Sequence, residues 1–204
     1  MECQEKIMML RCIDLVFAAG GLLLSAPLCG LISLLIWLES GRPVLYTPMM
    51  VGERGRPFRL QRFRTLRAGP DGLHLTHVGR LIRGLSLDHL PMLVNLLRGD
   101  LTLVGPRPME PQFVDMQDPS WQEYFQARPG ILNPAVLQLG RRWTPSRAQQ
   151  PDLHRSLELS YLRQRSVRSD LMIFARSLGA WVASRGNIKE RKEPDPDVDK
   201  ASDA

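Results

Sequence analysis

The segment that decides the fold is "LVFAAGGLLLSAPLCGLISLLIWL", residues 15–38, an uncharged run of 24 residues between Asp14 and Glu39. As a helix it is about 36 Å long, and a bilayer's hydrocarbon core is about 30 Å thick. The apolar part of a signal peptide runs to only about 15 residues, and no A-x-A cleavage pattern follows here. The sequence therefore predicts a retained membrane helix within residues 1–40.

Pro27 lies near the middle of this segment. Proline removes a backbone donor and clashes with the preceding turn, so we expect the helix to bend there. A kinked helix that crosses the bilayer once is one interpretation, and a re-entrant helix that enters and leaves on the same face is the other. Basic residues, which favour the cytosol, flank both ends: Lys6 and Arg11 precede the segment, and seven arginines follow between residues 42 and 67. The residues alone leave both topologies open.

The net charge of +6, from 27 Lys+Arg and 21 Asp+Glu, is carried almost wholly by arginine, since only four of the basic residues are lysines. Arginine binds phosphate oxygens bidentately, so anionic lipid, phosphorylated small molecules and nucleic acid all come into consideration. Few aromatic residues interleave the arginines, and we therefore expect no nucleic acid partner.

Cysteine usage indicates the compartment. The three cysteines are Cys3, Cys12 and Cys29, an odd number without metal-ligand spacing. We interpret them as reduced thiols of a protein that faces the cytosol.

The remaining chain predicts a mostly helical fold with one small β-hairpin. The alternation in "VLYT" and "FRLQRF", with the turn-prone "GERGRP" between them, indicates the hairpin within residues 44–66. We predict helices over 73–98, which ends at Gly99, near "WQEYFQ" in the otherwise loop-like stretch 107–130, and over about 153–184. Residues 41–186 then form a cytosolic α/β domain, and the charged tail 187–204 is expected to be disordered.

The hairpin arginines Arg59, Arg62 and Arg64 are expected on a cytosolic surface close to the membrane. Basic residues in such a position bind anionic lipid headgroups, which is the simplest interpretation of this cluster.

A second stretch, "SLDHLPMLVNLLRGDLTLVGPRP" at residues 86–108, carries the candidate chemistry. Asp88 suits the N-cap of a helix with Pro91 in its first turn, and it also suits a reactive carboxylate. Pro106 and Pro108 restrict the backbone around Arg107, so its guanidinium can clamp an oxyanion at little entropic cost. The alternative is a rigid turn with a solvent-facing arginine.

This stretch resembles the signature of the monotopic phosphoglycosyl transferases, bacterial sugar transferases that attach the first sugar phosphate to a polyprenyl phosphate carrier. Further segments agree in order over residues 10–180: the proline-broken apolar segment, "VGERGRPFRLQRFRTL", "HVGRLIR", "RPGI" from Arg128, and "YLRQRSVRSDLMIF". The resemblance implies a re-entrant helix bent at Pro27 and a cytosolic catalytic domain on the bacterial inner membrane.

The resemblance also implies a mechanism. Asp88 would attack the β-phosphate of a nucleotide diphosphate sugar, with Mg²⁺ bound at Asp88, and release the nucleoside monophosphate; polyprenyl phosphate would then accept the phosphosugar from the enzyme. Arg64, Arg83, Arg107 and Arg128 become the expected phosphate and substrate contacts, and His89 joins Asp88 as a catalytic candidate.

The sequence departs from the family pattern at three places. Asp88-His89 stands where the family has Asp-Glu, Pro48 and Met50 stand in the hairpin, and "RPGILNPAVLQLGR" lacks the usual Thr-Gly. Magnesium prefers oxygen ligands, so His89 is a poor ligand but a plausible base near neutral pH. Two alternatives to an active transferase follow: an inactive relative that serves as a membrane scaffold or regulator, and a membrane-anchored basic module. The motifs do not specify the sugar, the nucleotide, the carrier length or the oligomeric state.

Overall fold

A computed structural model describes residues 2–69, 72–135 and 151–184. Its helices are α1 (Glu2–Ser40), α2 (His77–Gly84), α3 (Met92–Arg98), α4 (Pro119–Tyr124), α5 (Pro151–Arg163) and α6 (Val167–Ser184). Its strands are β1 (Leu45–Tyr46), β2 (Met49–Val51), β3 (Pro57–Arg59), β4 (Arg62–Phe63), β5 (Leu66–Gly69), β6 (Gly72–Leu75), β7 (Thr102–Val104) and β8 (Gly130–Leu132). The mostly helical class is confirmed, and the predicted disordered tail lies outside the described residues.

Helix α1 is the predicted membrane helix. Within the described ranges, its Met8–Ser40 portion is the one helix that is long and apolar enough to cross a membrane, and it contains an apolar window of 18 residues. The helix continues through Pro27. Only 11% of the apolar window is buried, and Val16, Leu23 and Leu24 are among its most exposed side chains. Long exposed apolar surface of this kind indicates contact with a membrane, while the re-entrant path stays a prediction.

The first half of α1 docks on α3 and β7. The guanidinium of Arg11 donates to the carbonyl oxygens of Leu96 and Leu97, at 2.7 and 2.8 Å, in the last turn of α3. Asp14 is buried and accepts hydrogen bonds from the Thr102 hydroxyl and the Leu103 amide. These contacts fix the start of α1 on the rest of the domain.

The second half of α1 docks on the same domain through β4 and α2. Ile32 and Ile36 pack in one apolar cluster with Phe63 and Ile82. The Glu39 carboxylate accepts the backbone N–H groups of His77 and Val78, at 2.7 and 3.0 Å, and so satisfies free donors at the start of α2. One stripe of α1 therefore contacts the domain from Arg11 to Glu39.

The predicted hairpin is confirmed, and it consists of two successive antiparallel strand pairs. Strand β1 pairs antiparallel with β4, and β2 pairs antiparallel with β3 inside them. Met50 and Phe58 from the inner pair join Leu60, Met92 and Leu101 in a buried cluster, which anchors the hairpin on α3.

The predicted helix over 73–98 is wrong at its start and in its middle. Residues 72–75 form β6, which pairs with β5 in a second hairpin, and the helical part is divided into α2, a 3-10 turn at Leu87–His89, and α3. Ser86 has a left-handed backbone, with φ 58°, which interrupts the helix before Asp88. The predicted end at Gly99 is confirmed by its φ of 91°.

The predicted last helix is two helices. Ser166 and Ser169 each accept the backbone N–H of the other through their hydroxyl oxygens, a reciprocal cap that begins α6. The chain between Arg163 and Val167 therefore leaves the helical path, although both sides have helical periodicity.

Strands β7 and β8 form a parallel pair that brings "VGPRP" beside "RPGI". A Cβ atom on Gly130 would lie 2.0 Å from the Gly105 nitrogen, so only glycine permits this approach. The Gly130 amide donates to the Pro106 carbonyl at 2.8 Å. This pairing positions the backbone that leads into Arg107.

Candidate active site

Asp88 lies in the 3-10 turn between α2 and α3, and its side chain is only 13% exposed. Helix α3 begins at Met92 after Pro91, without a side-chain cap. The N-cap interpretation of Asp88 is therefore wrong. Among the described residues its carboxylate accepts no hydrogen bond, and its Oδ2 lies 3.8 Å from Nε2 of His89. A mostly buried carboxylate that accepts no hydrogen bond within the described ranges is suited to a reactive role.

Arg62, from the hairpin, lies directly against His89. Its Nε donates to the Nδ1 of His89 at 3.1 Å, and its Nη2 lies 2.7 Å from Nδ1 and 3.1 Å from Nε2. Since a guanidinium only donates, the imidazole must accept and is therefore neutral in this arrangement. Arg62 joins β4 to the Asp88 turn across 27 residues of sequence.

Arg83 and Arg107 act electrostatically on His89 and Arg62. Burial, then the positive charges of Arg62, Arg83 and Arg107, lower the pKa of His89 from 6.5 to about 4, against an opposing effect of Asp88. The His89 side chain is 40% exposed, so solvent screens part of this effect. Burial also lowers the pKa of Arg62, which Asp88 raises and which Arg107 and Arg83 lower further. Asp88, Arg83 and Arg107 therefore all lie near enough to His89 and Arg62 to act on them electrostatically.

Two of the predicted phosphate contacts are engaged elsewhere. Arg64 donates to the carbonyl oxygens of Ser40 and Gly41, both at 2.8 Å, and so closes the C-terminal end of α1. Arg128 pairs with Glu53 at 3.1 Å and lines a cavity of about 430 Å³ together with Arg54, Arg56 and Arg98. The structure brings Asp88, His89, Arg83 and Arg107 together. Arg64 and Arg128 make other contacts, so their role as phosphate contacts stays a prediction.

The side chains that could bind a metal ion determine whether magnesium fits the site. In the part of the chain that the structure describes, no group of three or more His, Cys, Asp or Glu side chains is placed to hold a metal ion. Magnesium commonly keeps several waters and is bound by one or two carboxylates together with substrate phosphates. Asp88, a single carboxylate among arginines, fits an ion that the substrate's phosphates also bind.

The sequence interpretation missed Arg62 as a site residue. The sequence predicts Arg62 with Arg59 and Arg64 on a cytosolic surface close to the membrane, because alternation in a hairpin does not tell which arginine turns toward a distant loop. The alternation is no guide here, since Phe58, Leu60 and Phe63 are all buried and the pattern changes phase before Arg62.

Comparison with known sequences defines the class of protein. The sequence model of the bacterial sugar transferase family matches residues 5–184, and the chain belongs to that family. This confirms the resemblance of the motifs.

Individual relatives have more specific names. The UDP-glucose:undecaprenyl-phosphate glucose-1-phosphate transferase of Caulobacter vibrioides is 34% identical over 187 residues, 85% of this chain and 70% of the relative. The exopolysaccharide production protein ExoY of Rhizobium meliloti is 30% identical over 202 residues, 87% of each chain. The undecaprenyl-phosphate glucose phosphotransferase of Komagataeibacter xylinus is 34% identical over 194 residues, 86% of this chain and 36% of the relative.

Proposed function

We propose that this chain transfers a sugar phosphate from a UDP-sugar to undecaprenyl phosphate and so begins the synthesis of an exopolysaccharide or another glycoconjugate. The named substrates and the polysaccharide role of its relatives support this activity. The observation that carries the proposal is the placement of one mostly buried carboxylate, Asp88, among Arg62, Arg83 and Arg107.

The proposed reaction has two steps on Asp88. A carboxylate oxygen of Asp88 attacks the β-phosphorus of the UDP-sugar, the bond from that phosphorus to the bridging oxygen breaks, and UMP leaves with the bond's electron pair. A phosphate oxygen of undecaprenyl phosphate then attacks the same phosphorus and releases the Asp88 carboxylate. Phosphoryl transfer needs mainly positioning and charge neutralisation, which three arginines around one carboxylate supply.

His89 is proposed to orient Arg62. Its lone pair already accepts from that guanidinium, and a base whose pKa is about 4 takes up a proton weakly at neutral pH. Magnesium, when bound by Asp88 and the substrate's phosphates, would neutralise charge on the pyrophosphate. His89 in place of the family's glutamate leaves Asp88 as the sole carboxylate of that pair.

The proposed location is the cytosolic face of the bacterial inner membrane. Both ends of α1 contact the same domain, through Arg11 and Asp14 at one end and Glu39 at the other. A helix that crossed the bilayer would place these ends on opposite sides, where one domain cannot contact both. This geometry supports a monotopic arrangement, which brings Asp88 to the surface where a membrane-bound polyprenyl phosphate presents its headgroup.

The proposal is tested by UMP release. Purified protein in vesicles with undecaprenyl phosphate is incubated with a panel of UDP-sugars, and the wild type should release UMP from at least one of them. Asp88→Asn should lose at least about a thousandfold in rate while it keeps its melting temperature, since this carboxylate makes no structural hydrogen bond among the described residues. Silence of the wild type across the panel would favour an inactive membrane scaffold, the alternative that the Asp88-His89 departure raises.

A further inference from the structure

Glu158, on α5, is a fully buried carboxyl group that the reaction above does not use. Its Oε2 accepts the backbone N–H of Arg107 at 2.8 Å, and its Oε1 accepts the side-chain amide of Asn133. Charged side chains are rarely buried without such partners, because burial costs free energy that hydrogen bonds must offset. Glu158 therefore accepts a hydrogen bond from the backbone of Arg107, an arginine of the candidate active site.

Tyr124, on α4, contacts the backbone carbonyl group of Arg107. Its hydroxyl lies 2.8 Å from the carbonyl oxygen of Arg107 and 3.2 Å from Oε2 of Glu158. Both oxygens accept from the single hydroxyl proton, and the shorter distance makes the bond to the Arg107 carbonyl the stronger of the two. With Pro106 and Pro108 on either side, Arg107 is held at its N–H, at its carbonyl and by the fixed φ angles of both neighbours.

We propose that Glu158 is a positioning residue that holds the Arg107 backbone so that the guanidinium meets the phosphates of the donor at Asp88. This inference rests on the proposed function, in which Arg107 binds the donor. Displacement of a charged group by about 1 Å is enough to cost a large factor in catalysis, so a tether at the backbone has a measurable effect on the substrate.

The protonation of Glu158 suggests the conservative variant. Burial raises its pKa from 4.5 to about 7, although the hydrogen bonds from Asn133, Arg107 and Tyr124 lower it in part. The protonated carboxyl group is neutral and keeps an acceptor lone pair for the Arg107 N–H. Glutamine, neutral and of the same shape, should keep its single acceptor oxygen at the Arg107 N–H, with the Asn133 amide rotated so that its oxygen accepts from the new NH2 group. Leucine removes the acceptor.

The test compares steady-state kinetics and amide exchange in full-length variants. Glu158→Leu should raise KM for the UDP-sugar about tenfold with a smaller change in kcat, and it should speed hydrogen exchange at the Arg107 amide. Glu158→Gln should stay within about threefold of the wild type in KM. Tyr124→Phe, which removes the second tether, should shift KM in the same direction and serves if Glu158→Leu does not fold.

The control is Tyr161→Phe. Tyr161 is buried on the same helix, but its hydroxyl donates to Asp170. It should lose stability without a change in KM or in Arg107 exchange, so general loosening of α5 is separated from loss of the tether.

A double-mutant cycle decides the matter. In an Arg107→Ala background, Glu158→Leu should have no further effect on kcat/KM, since a positioning residue acts only through the group that it positions. Equal effects of Glu158→Leu in both backgrounds, or faster Arg107 exchange with unchanged KM, would overturn the inference and leave the proposed function intact. If the wild type turns over no donor but binds UDP, the proposed function fails, and the UDP affinities of the same variants then replace KM in the test of Glu158. A wild type that neither turns over a donor nor binds UDP overturns the proposed function and the inference about Glu158.

Discussion

At the scale of single residues, the contact between Arg62 and His89 makes a specific prediction. Arg62→Ala should lower kcat/KM for the UDP-sugar about 10- to 100-fold, because it removes the contact with His89 and one of the three positive charges that act on the Asp88–His89 turn. Arg59→Ala is the matched control. Arg59 lies on the same hairpin with an exposed side chain, and this variant should keep its kcat/KM. Equal losses in the two variants would assign the effect to general basicity and not to the site.

The raised pKa of Glu158 predicts how stability depends on pH. The folded state holds this proton more tightly than the unfolded chain, so the stabilisation is complete below about pH 4.5 and is lost as the pH rises through about 7. Relative to Glu158→Gln, the wild type should lose on the order of 3 kcal/mol of unfolding free energy across this window. Unfolding in detergent at both ends of the window measures it, and a pH-independent difference between the two proteins would contradict the burial argument.

His89 acts in the opposite direction. Its lowered pKa means that the unfolded chain binds the proton more tightly, so its contribution to stability grows as the pH rises from about 4 to 6.5. The two opposed effects partly cancel in the wild type. Comparison of the wild type with Glu158→Gln at each pH isolates the glutamate because His89 is common to both.

At the scale of elements, the docking of α1 on α3 rests on close approach at one glycine. A Cβ atom on Gly21 would lie 3.0 Å from the Cδ1 of Leu93, whereas one on Gly20 would have nothing within 4 Å. Gly21→Leu should therefore destabilise the protein by about 1–3 kcal/mol through overpacking, which a fall in the melting temperature measures. Gly20→Leu makes the same change in helix propensity one residue away and should not destabilise it. Equal melting temperatures for the two variants would show that α1 does not dock through this face.

The elements show what sequence could predict and what it could not. The long apolar helix and the hairpin at 44–66 are correctly predicted because an uncharged apolar run and strand alternation are local patterns. Strand β6 was assigned to a helix, since "GLHL" is too short for its periodicity to separate strand from helix. The turn at Ser86 and the parallel pair of β7 with β8 depend on contacts between distant segments, which local patterns do not record.

The same division holds for the site. Asp88, His89, Arg83 and Arg107 were predicted from motifs, and the structure brings them together. Arg62 and Glu158 were missed, because each joins the site through a partner 27 and 51 residues away, respectively. Arg64 matched a motif but caps α1, which shows that a basic residue in a motif can serve the architecture.

At the scale of the whole molecule, topology is the property to test. In a protein whose native cysteines are replaced by serine, a cysteine at Glu2 should react with an impermeant reagent only from the cytosolic side, as should a cysteine at the exposed Arg80 of the domain. Both ends of α1 contact one domain, so the two positions should be labelled from one side. Periplasmic labelling at position 2 with cytosolic labelling at position 80 would establish a spanning helix.

The central claim, that Asp88 carries the phosphosugar, is tested most directly by the intact mass of the protein after incubation with a competent UDP-sugar in the absence of polyprenyl phosphate. The wild type should gain the mass of one sugar phosphate, with release of UMP, and should lose it when undecaprenyl phosphate is added. Asp88→Asn should remain at its original mass, because its amide is a far weaker nucleophile than the carboxylate. An adduct of the same mass on Asp88→Asn, or UMP released by the wild type without any adduct at all time points, would contradict the account.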